Sequence, residues 1–228
     1  MLYRTLIFLL IPFISQTQDI CKGYFAHQEG TAWTITSYDK KKKEAGKLQY
    51  EVLFNEAGAE GRDITFMYSH FDKDGEKVTG GEVVSTCANN TFTTTFSGIM
   101  AESFPQTADV QVEISGDLIQ YPNQMTAGQK LPDANVVIAT KIEDGMSLLK
   151  VTTEISNRKV VGFEKIVTPA GTFDCVKITY DAKIKMILTK TISMVEYLAE
   201  GIGVVRSESY DKKGELAGYS ELSELKRP

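Results

Sequence analysis

The sequence predicts a mostly β protein: a single-domain antiparallel meander forming a curved sheet or half-barrel of about twelve strands, with one short helix packed on it. Three observations predict it. Apolar and polar residues alternate with period two along many short runs. Turn residues punctuate those runs at close intervals. One stretch departs from the alternation and takes a helical spacing instead.

The chain has 228 residues and no break in composition. It opens with a leader. Arg4 precedes the apolar run Leu6–Ile14, and Ser15 and Thr17 follow. That run is too short to cross a bilayer and has the layout of a secretory signal peptide, so 1–17 is read as leader and 18–228 as one β-rich domain. No membrane-spanning segment is expected. Asp19 and Ile20 stand before Cys21, where a lipoprotein leader needs small residues. The expected product is a periplasmic or secreted protein, not a lipoprotein.

Trp33, Ile35 and Ser37 alternate with Thr34, Thr36 and Tyr38. Leu48, Tyr50, Val52 and Phe54 alternate with Lys47, Gln49, Glu51 and Leu53, and Ile64, Phe66, Tyr68 and His70 repeat the pattern. Such runs are half-buried antiparallel strands. A fourth strand is read over Val78–Thr86. Between strands one phrase recurs: Tyr38-Asp39-Lys40-Lys41, Phe71-Asp72-Lys73-Asp74-Gly75-Glu76 and Tyr210-Asp211-Lys212-Lys213-Gly214-Glu215. Each is an aromatic residue, an Asp able to bond its own turn, and a Lys, which predicts three hairpin tips of one design. The run Lys40–Lys43 then reads as a solvated tip.

Over Asn90–Gln106 the pattern changes. Phe92, Phe96, Met100 and Phe104 fall at intervals of four, with Asn90 as cap and Pro105 as stop. That spacing predicts a short helix packed across the open face of the sheet. Strands resume at Val110–Ile114. A proline-bearing connection follows from Tyr121 to Asp133, then strands at Val136–Ile142 and Leu148–Ile155. Next come two runs around Thr168-Pro169-Ala170-Gly171, in which Pro169 presets φ and Gly171 takes positive φ. Strands at Met186–Tyr197, Val204–Tyr210 and Leu216–Leu225 complete the set. Gly201-Ile202-Gly203 is a tight strand connection and not a phosphate loop, because no helix and no third glycine follow. Symmetry about Gly201 places Glu196 opposite Arg206 as a cross-strand ion pair.

Two phrases carry a resemblance: Thr168-Pro169-Ala170-Gly171-Thr172-Phe173-Asp174-Cys175 and Gly201-Ile202-Gly203-Val204-Val205-Arg206-Ser207-Glu208. Cys21 with Gly30-Thr31-Ala32-Trp33, the phrase Gly128-Gln129-Lys130-Leu131-Pro132-Asp133-Ala134, and Asn157-Arg158-Lys159-Val160 extend it over nearly all of the mature chain. The sequence resembles the DUF3108-like family, the TapB-family group of Bacteroidetes-type bacteria. It departs at Tyr197-Leu198, where relatives carry Trp and an aromatic. The resemblance implies an exported β-protein, with a half-barrel similar to periplasmic lipoprotein carriers. It carries over no catalytic residues.

The formal net charge of −5 argues against nucleic acid as a partner. The three cysteines, Cys21, Cys87 and Cys175, match no metal spacing. In an oxidising compartment the expected arrangement is a Cys21–Cys87 disulfide that anchors the mature N-terminus, with Cys175 a buried thiol. Only His27 and His70 are available for acid–base or metal work, and no G-x-S-x-G elbow is present. His70 reads as a satisfied, partly buried side chain. Glu143-Asp144-Gly145 reads as a hairpin turn and not a calcium loop. No catalytic residue, metal or cofactor is assigned. The expected function is a non-enzymatic envelope protein whose curved sheet binds a hydrophobic small molecule or an envelope-protein segment, with Phe92, Phe96, Met100 and Phe104 covering the ligand. The alternatives are a hydrolase of envelope polymers and a purely structural or assembly protein.

Overall fold

A computed structural model describes residues 22–94, 110–142 and 147–228. The expected leader, Cys21 and the residues Phe96, Met100 and Phe104 lie outside the described residues. Among the described residues thirteen strands form in chain order. They are β1 (Ala32–Asp39), β2 (Glu44–Ala57), β3 (Arg62–Asp72), β4 (Lys77–Ala88), β5 (Thr91–Thr94), β6 (Val110–Gly116) and β7 (Ile119–Pro122). Then come β8 (Ala134–Ile142), β9 (Ser147–Thr168), β10 (Gly171–Lys185), β11 (Thr189–Ala199), β12 (Gly203–Tyr210) and β13 (Leu216–Lys226).

All thirteen belong to one antiparallel sheet, ordered β6-β8-β9-β10-β11-β12-β13-β1-β2-β3-β4-β5-β7. Its two edges are β6 and β7, which are neighbours in the chain. Only Asp117 and Leu118 separate them. Three residue steps span at most about 11 Å, so the sheet must curl until its edges approach each other. No ladder joins β6 to β7 among the described residues, and the sheet stays open. Arg158 of β9 links that strand across the opening to β7. Its Nη1 donates to the Gln120 carbonyl of β7 at 3.0 Å and to the Pro132 carbonyl at 2.9 Å.

The core lies inside the curl. Val52, Ile64 and Phe66 from β2 and β3 meet Phe92 and Ile119 from the short strands, and Val176, Ile178 and Leu198 from β10 and β11. A second cluster forms where the long β9–β10 hairpin folds over β12 and β13. There Ile166 and Phe173 pack on Cys175, Tyr197, Val205 and Leu222. The turn between β9 and β10 is as the sequence predicts: Thr168 pairs with Gly171, whose φ is +141°.

Several expectations are corrected. Thr91–Thr94 is strand β5 and not the start of a helix. Asn89 and Asn90 both take positive φ, and Ala88 pairs with Thr91. Asn at both central positions makes the two-residue hairpin turn that matches strand twist, and the threonines that follow favour strand. The runs 148–155 and 158–167 are one strand, β9. Its register breaks near Asn157, where φ is +57°. Met186–Leu188 is a turn, and β11 begins at Thr189. Phe54 is half exposed because a bulge at Leu53 reverses the face of β2 beyond Val52. Among the described residues, no helix is long and apolar enough to cross a membrane.

The three aromatic–Asp–Lys phrases form three identical tips. Asp39 Oδ1 accepts from the Lys41 and Lys43 backbone N–H groups, Asp72 Oδ1 from Asp74 and Glu76, and Asp211 Oδ1 from Lys213 and Glu215. In each, the fourth residue takes positive φ: Lys42, Gly75 and Gly214. The Asp side chains act as built-in turn acceptors.

A candidate ligand cleft inside the curled sheet

The inside of the curl holds a cleft of about 490 Å³. Its walls come from β1–β5 and β7 on one side and β9–β13 on the other. Alternation explains the lining. Trp33, Ile35 and Ser37 of β1 are one face of the strand, and all three line the cleft.

Phe25 lines the cleft from outside the named strands. The segment 23–25 runs beside the β11–β12 turn: Gly201 N–H donates to the Gly23 carbonyl and Ile202 N–H to the Tyr24 carbonyl, each at 2.8 Å. Gly203, with φ of +106°, leaves room for the ring; a Cβ there would stand 3.3 Å from Phe25 Cδ1. Phe25 then stacks on Phe92, with ring centroids 4.1 Å apart and planes at 7°. Tyr121 lies 4.9 Å from Phe25 and tilted to it. Phe92 lines the cleft, and it is placed there by strand pairing and not by a helix. Phe25 was not legible as a site residue, since nothing local ties it to Phe92.

One carboxyl lies in this apolar setting. Glu196 of β11 is 3% exposed and lines the cleft. Tyr180 Oη donates to Glu196 Oε1 at 2.7 Å, and Tyr121 Oη to Oε2 at 3.2 Å. Burial pushes the Glu196 pKa above the usual carboxylate range, against the pull of both hydroxyls and of Arg158. Burial and the carboxyl together push both tyrosines far up, so they stay hydroxyl donors. The Arg158 guanidinium, 2% exposed, stacks 4.9 Å from the Tyr121 ring centre.

The expected Glu196–Arg206 pair does not form. A bulge between Leu198 and Tyr197 puts Glu196 opposite Ser207 and Arg206 opposite Tyr197. Both residues border the cleft, but the register separates them: Glu196 bonds Tyr180 and Tyr121, while Arg206 lies over the Tyr219 ring. Arg206 bonds Glu208 at 2.8 Å and Glu221 at 3.0 Å instead. The flanking glycines pointed to a bulge; its position, which sets the register, was not legible.

The other candidates are dispersed. His27 Nδ1 lies 3.3 Å from the Phe25 carbonyl. His70 is corrected from satisfied to unsatisfied: its Nδ1 is buried without a hydrogen-bond partner among the described residues, and burial lowers its pKa. Cys87 and Cys175 are both buried, on different clusters. Burial raises the Cys175 thiol to about 11, which makes it unreactive. Among the described residues, no group of three His, Cys, Asp or Glu side chains is placed to hold a metal ion.

Two solved structures share this architecture. One is a candidate exported protein with YmcC-like fold from Bacteroides fragilis, 28% identical, covering 91% of this chain and 100% of its own, at a TM-score of 0.77. The other is a candidate lipoprotein from Parabacteroides distasonis, 28% identical, covering 90% of this chain and 99% of its own, also at 0.77. A comparison with curated proteins finds no match. The sequence pattern of the DUF3108-like family matches residues 28–222, in which all thirteen strands begin. The chain belongs to the DUF3108-like family.

Proposed function

We propose that this is an exported envelope protein that holds an apolar molecule in the cleft of its curled sheet, with a hydrogen-bonding group of that molecule against Glu196. The observation that carries the reading is the cleft itself: about 490 Å³, walled by aromatic side chains, with one buried carboxyl in its lining. Small ligands usually bind in apolar pockets with a few placed polar groups. The largely apolar lining suits a neutral or weakly polar molecule. The leader 1–17 and the character of the two structural neighbours support export.

Cys21 is assigned to a disulfide with Cys87 and not to an acyl chain; one sulfur cannot serve both. Support comes from the residue two places on. Gly23 abuts Asn123, where a Cβ would fall 2.5 Å from Asn123 Oδ1, and Asn123 Nδ2 lies 3.9 Å from Cys87 Sγ. The chain therefore enters the fold beside Cys87.

The test is binding by the purified chain. Native mass spectrometry after purification from its own envelope should show a co-purifying apolar molecule. A solvatochromic dye should brighten on the parent and be displaced by the extracted molecule. Val83→Trp, at a half-buried lining position, should narrow the cleft and weaken the dye signal at least several-fold. No adduct and no dye response in the parent would rule out the ligand reading.

A further inference from the structure

Strand direction sorts the turns of a meander onto two rims. The turns β1–β2, β3–β4, β10–β11 and β12–β13 all lie on one rim. Three of them are the Asp-anchored lysine tips. The fourth, at β10–β11, is different: Met186, Ile187 and Leu188 are 52%, 92% and 82% exposed. Single exposed apolar residues are ordinary. Three in succession at a hairpin tip, where polar turn residues are the rule, mark a contact surface.

This tip also projects. Ser193 of β11 pairs with Tyr210, the last residue of β12, while Lys185 still pairs with Thr189. Four residues of β11, 189–192, run past the end of β12, which carries the tip about 13 Å beyond that strand.

Charge collects around it. Lys183, Lys185 and Lys190 flank the tip. The next two turns along the rim carry Lys212, Lys213 and Lys40–Lys43, whose residues are exposed. These nine lysines stand against Asp39, Glu44, Asp211, Glu215 and, from β9, Glu154, in a chain whose net charge is −5. Glu154 is shared by Lys183 and Lys185. An apolar point within a cationic collar is complementary to an anionic bilayer, whose phosphates surround an apolar interior. The arms of the same hairpin supply Ile184 and Ile192 to the cleft lining, so the tip stands beside the cleft.

We propose that this rim docks on an anionic lipid surface, with Met186, Ile187 and Leu188 inserted at the acyl boundary and the lysines on the lipid phosphates. The docking does not depend on the cleft being occupied. Vesicles of phosphatidylglycerol with phosphatidylethanolamine, and of phosphatidylcholine alone, are sedimented with the purified chain. The parent should follow the anionic vesicles and not the zwitterionic ones, and release as salt rises from about 0.1 M to about 1 M. Ile187→Asp with Leu188→Asp should lower the vesicle affinity roughly tenfold or more, with unfolding unchanged because both side chains are exposed. Lys212→Glu with Lys213→Glu should lower it as well. Three results overturn the proposal: no binding to anionic vesicles, equal binding to both kinds, or tip variants that bind like the parent. A parent that is dimeric by light scattering, with a monomeric tip variant and no vesicle binding, would assign the tip to self-association and sink it equally.

Discussion

Tyr180 Oη donates to Glu196 Oε1 at 2.7 Å across the β10–β11 pair, inside a largely apolar cleft. The bond makes a buried carboxyl tolerable and aims it into the cleft. Tyr180→Phe removes that donor and leaves one carboxyl oxygen buried without it. The expected cost is about 1–3 kcal/mol of unfolding free energy. Urea denaturation checks it, and a Phe variant as stable as the parent would show that Tyr180 does not support Glu196.

Glu196 also sets a pH dependence with a definite sign. Its folded pKa lies above the usual carboxylate range because of burial. Unfolded, the carboxyl titrates near about 4.3. Between those two values the folded chain binds more protons than the unfolded one, so stability falls as pH rises through that window. Glu196→Gln should flatten this part of the profile. Melting temperatures of parent and variant, read from about pH 4 upward, give the comparison; parallel profiles would contradict it.

Arg158 ties β9 to edge strand β7 and to the segment before β8 through the Gln120 and Pro132 carbonyls. Arg158→Met keeps much of the volume but orphans both acceptors. Hydrogen bonds from a charged donor contribute roughly 1.5–3 kcal/mol each, so a loss of about 3 kcal/mol or more is expected. A loss below about 1 kcal/mol in chemical denaturation would mean that β7 stays against β9 without it.

Lys42 occupies the positive-φ position that Gly75 and Gly214 fill in the two sister turns. A side chain there costs about 1 kcal/mol that glycine avoids. Lys42→Gly should therefore stabilise the chain, and Gly214→Ala, with φ of +77° and nothing near its Cβ position, should destabilise it by a similar amount. Equal midpoints for all three chains would refute the comparison.

The cysteines give a mass-spectrometric outcome. Non-reducing peptide mapping of the exported chain should link Cys21 to Cys87 and find Cys175 as a thiol. Closing so long a loop stabilises by about 4 kcal/mol, so reduction should lower the melting temperature markedly. The intact mass should lack roughly the first seventeen residues and carry no acyl increment. A lipid adduct on Cys21, or a bridge to Cys175, would reverse the assignment.

The sequence by itself determined the strands, most of the turns and the single-sheet class. Those depend on local chemistry: alternation along Trp33–Ser37, the Asp of each lysine tip, and Pro169 with Gly171 in the central turn. It misread Asn90–Thr94 because phenylalanines four apart satisfy a helical period, while Asn89-Asn90 and the threonines after them carry strand information of equal range. Tertiary structure alone decided the cleft. Single-residue bulges at Leu53 and beside Tyr197 set which face each side chain takes, and a bulge is a property of two paired strands. Tyr121 and Glu196 meet across a separation of 75 residues because the curl brings β7 over β11. Long-range strand order and curvature are energies of the whole sheet, and no local run of residues encodes them.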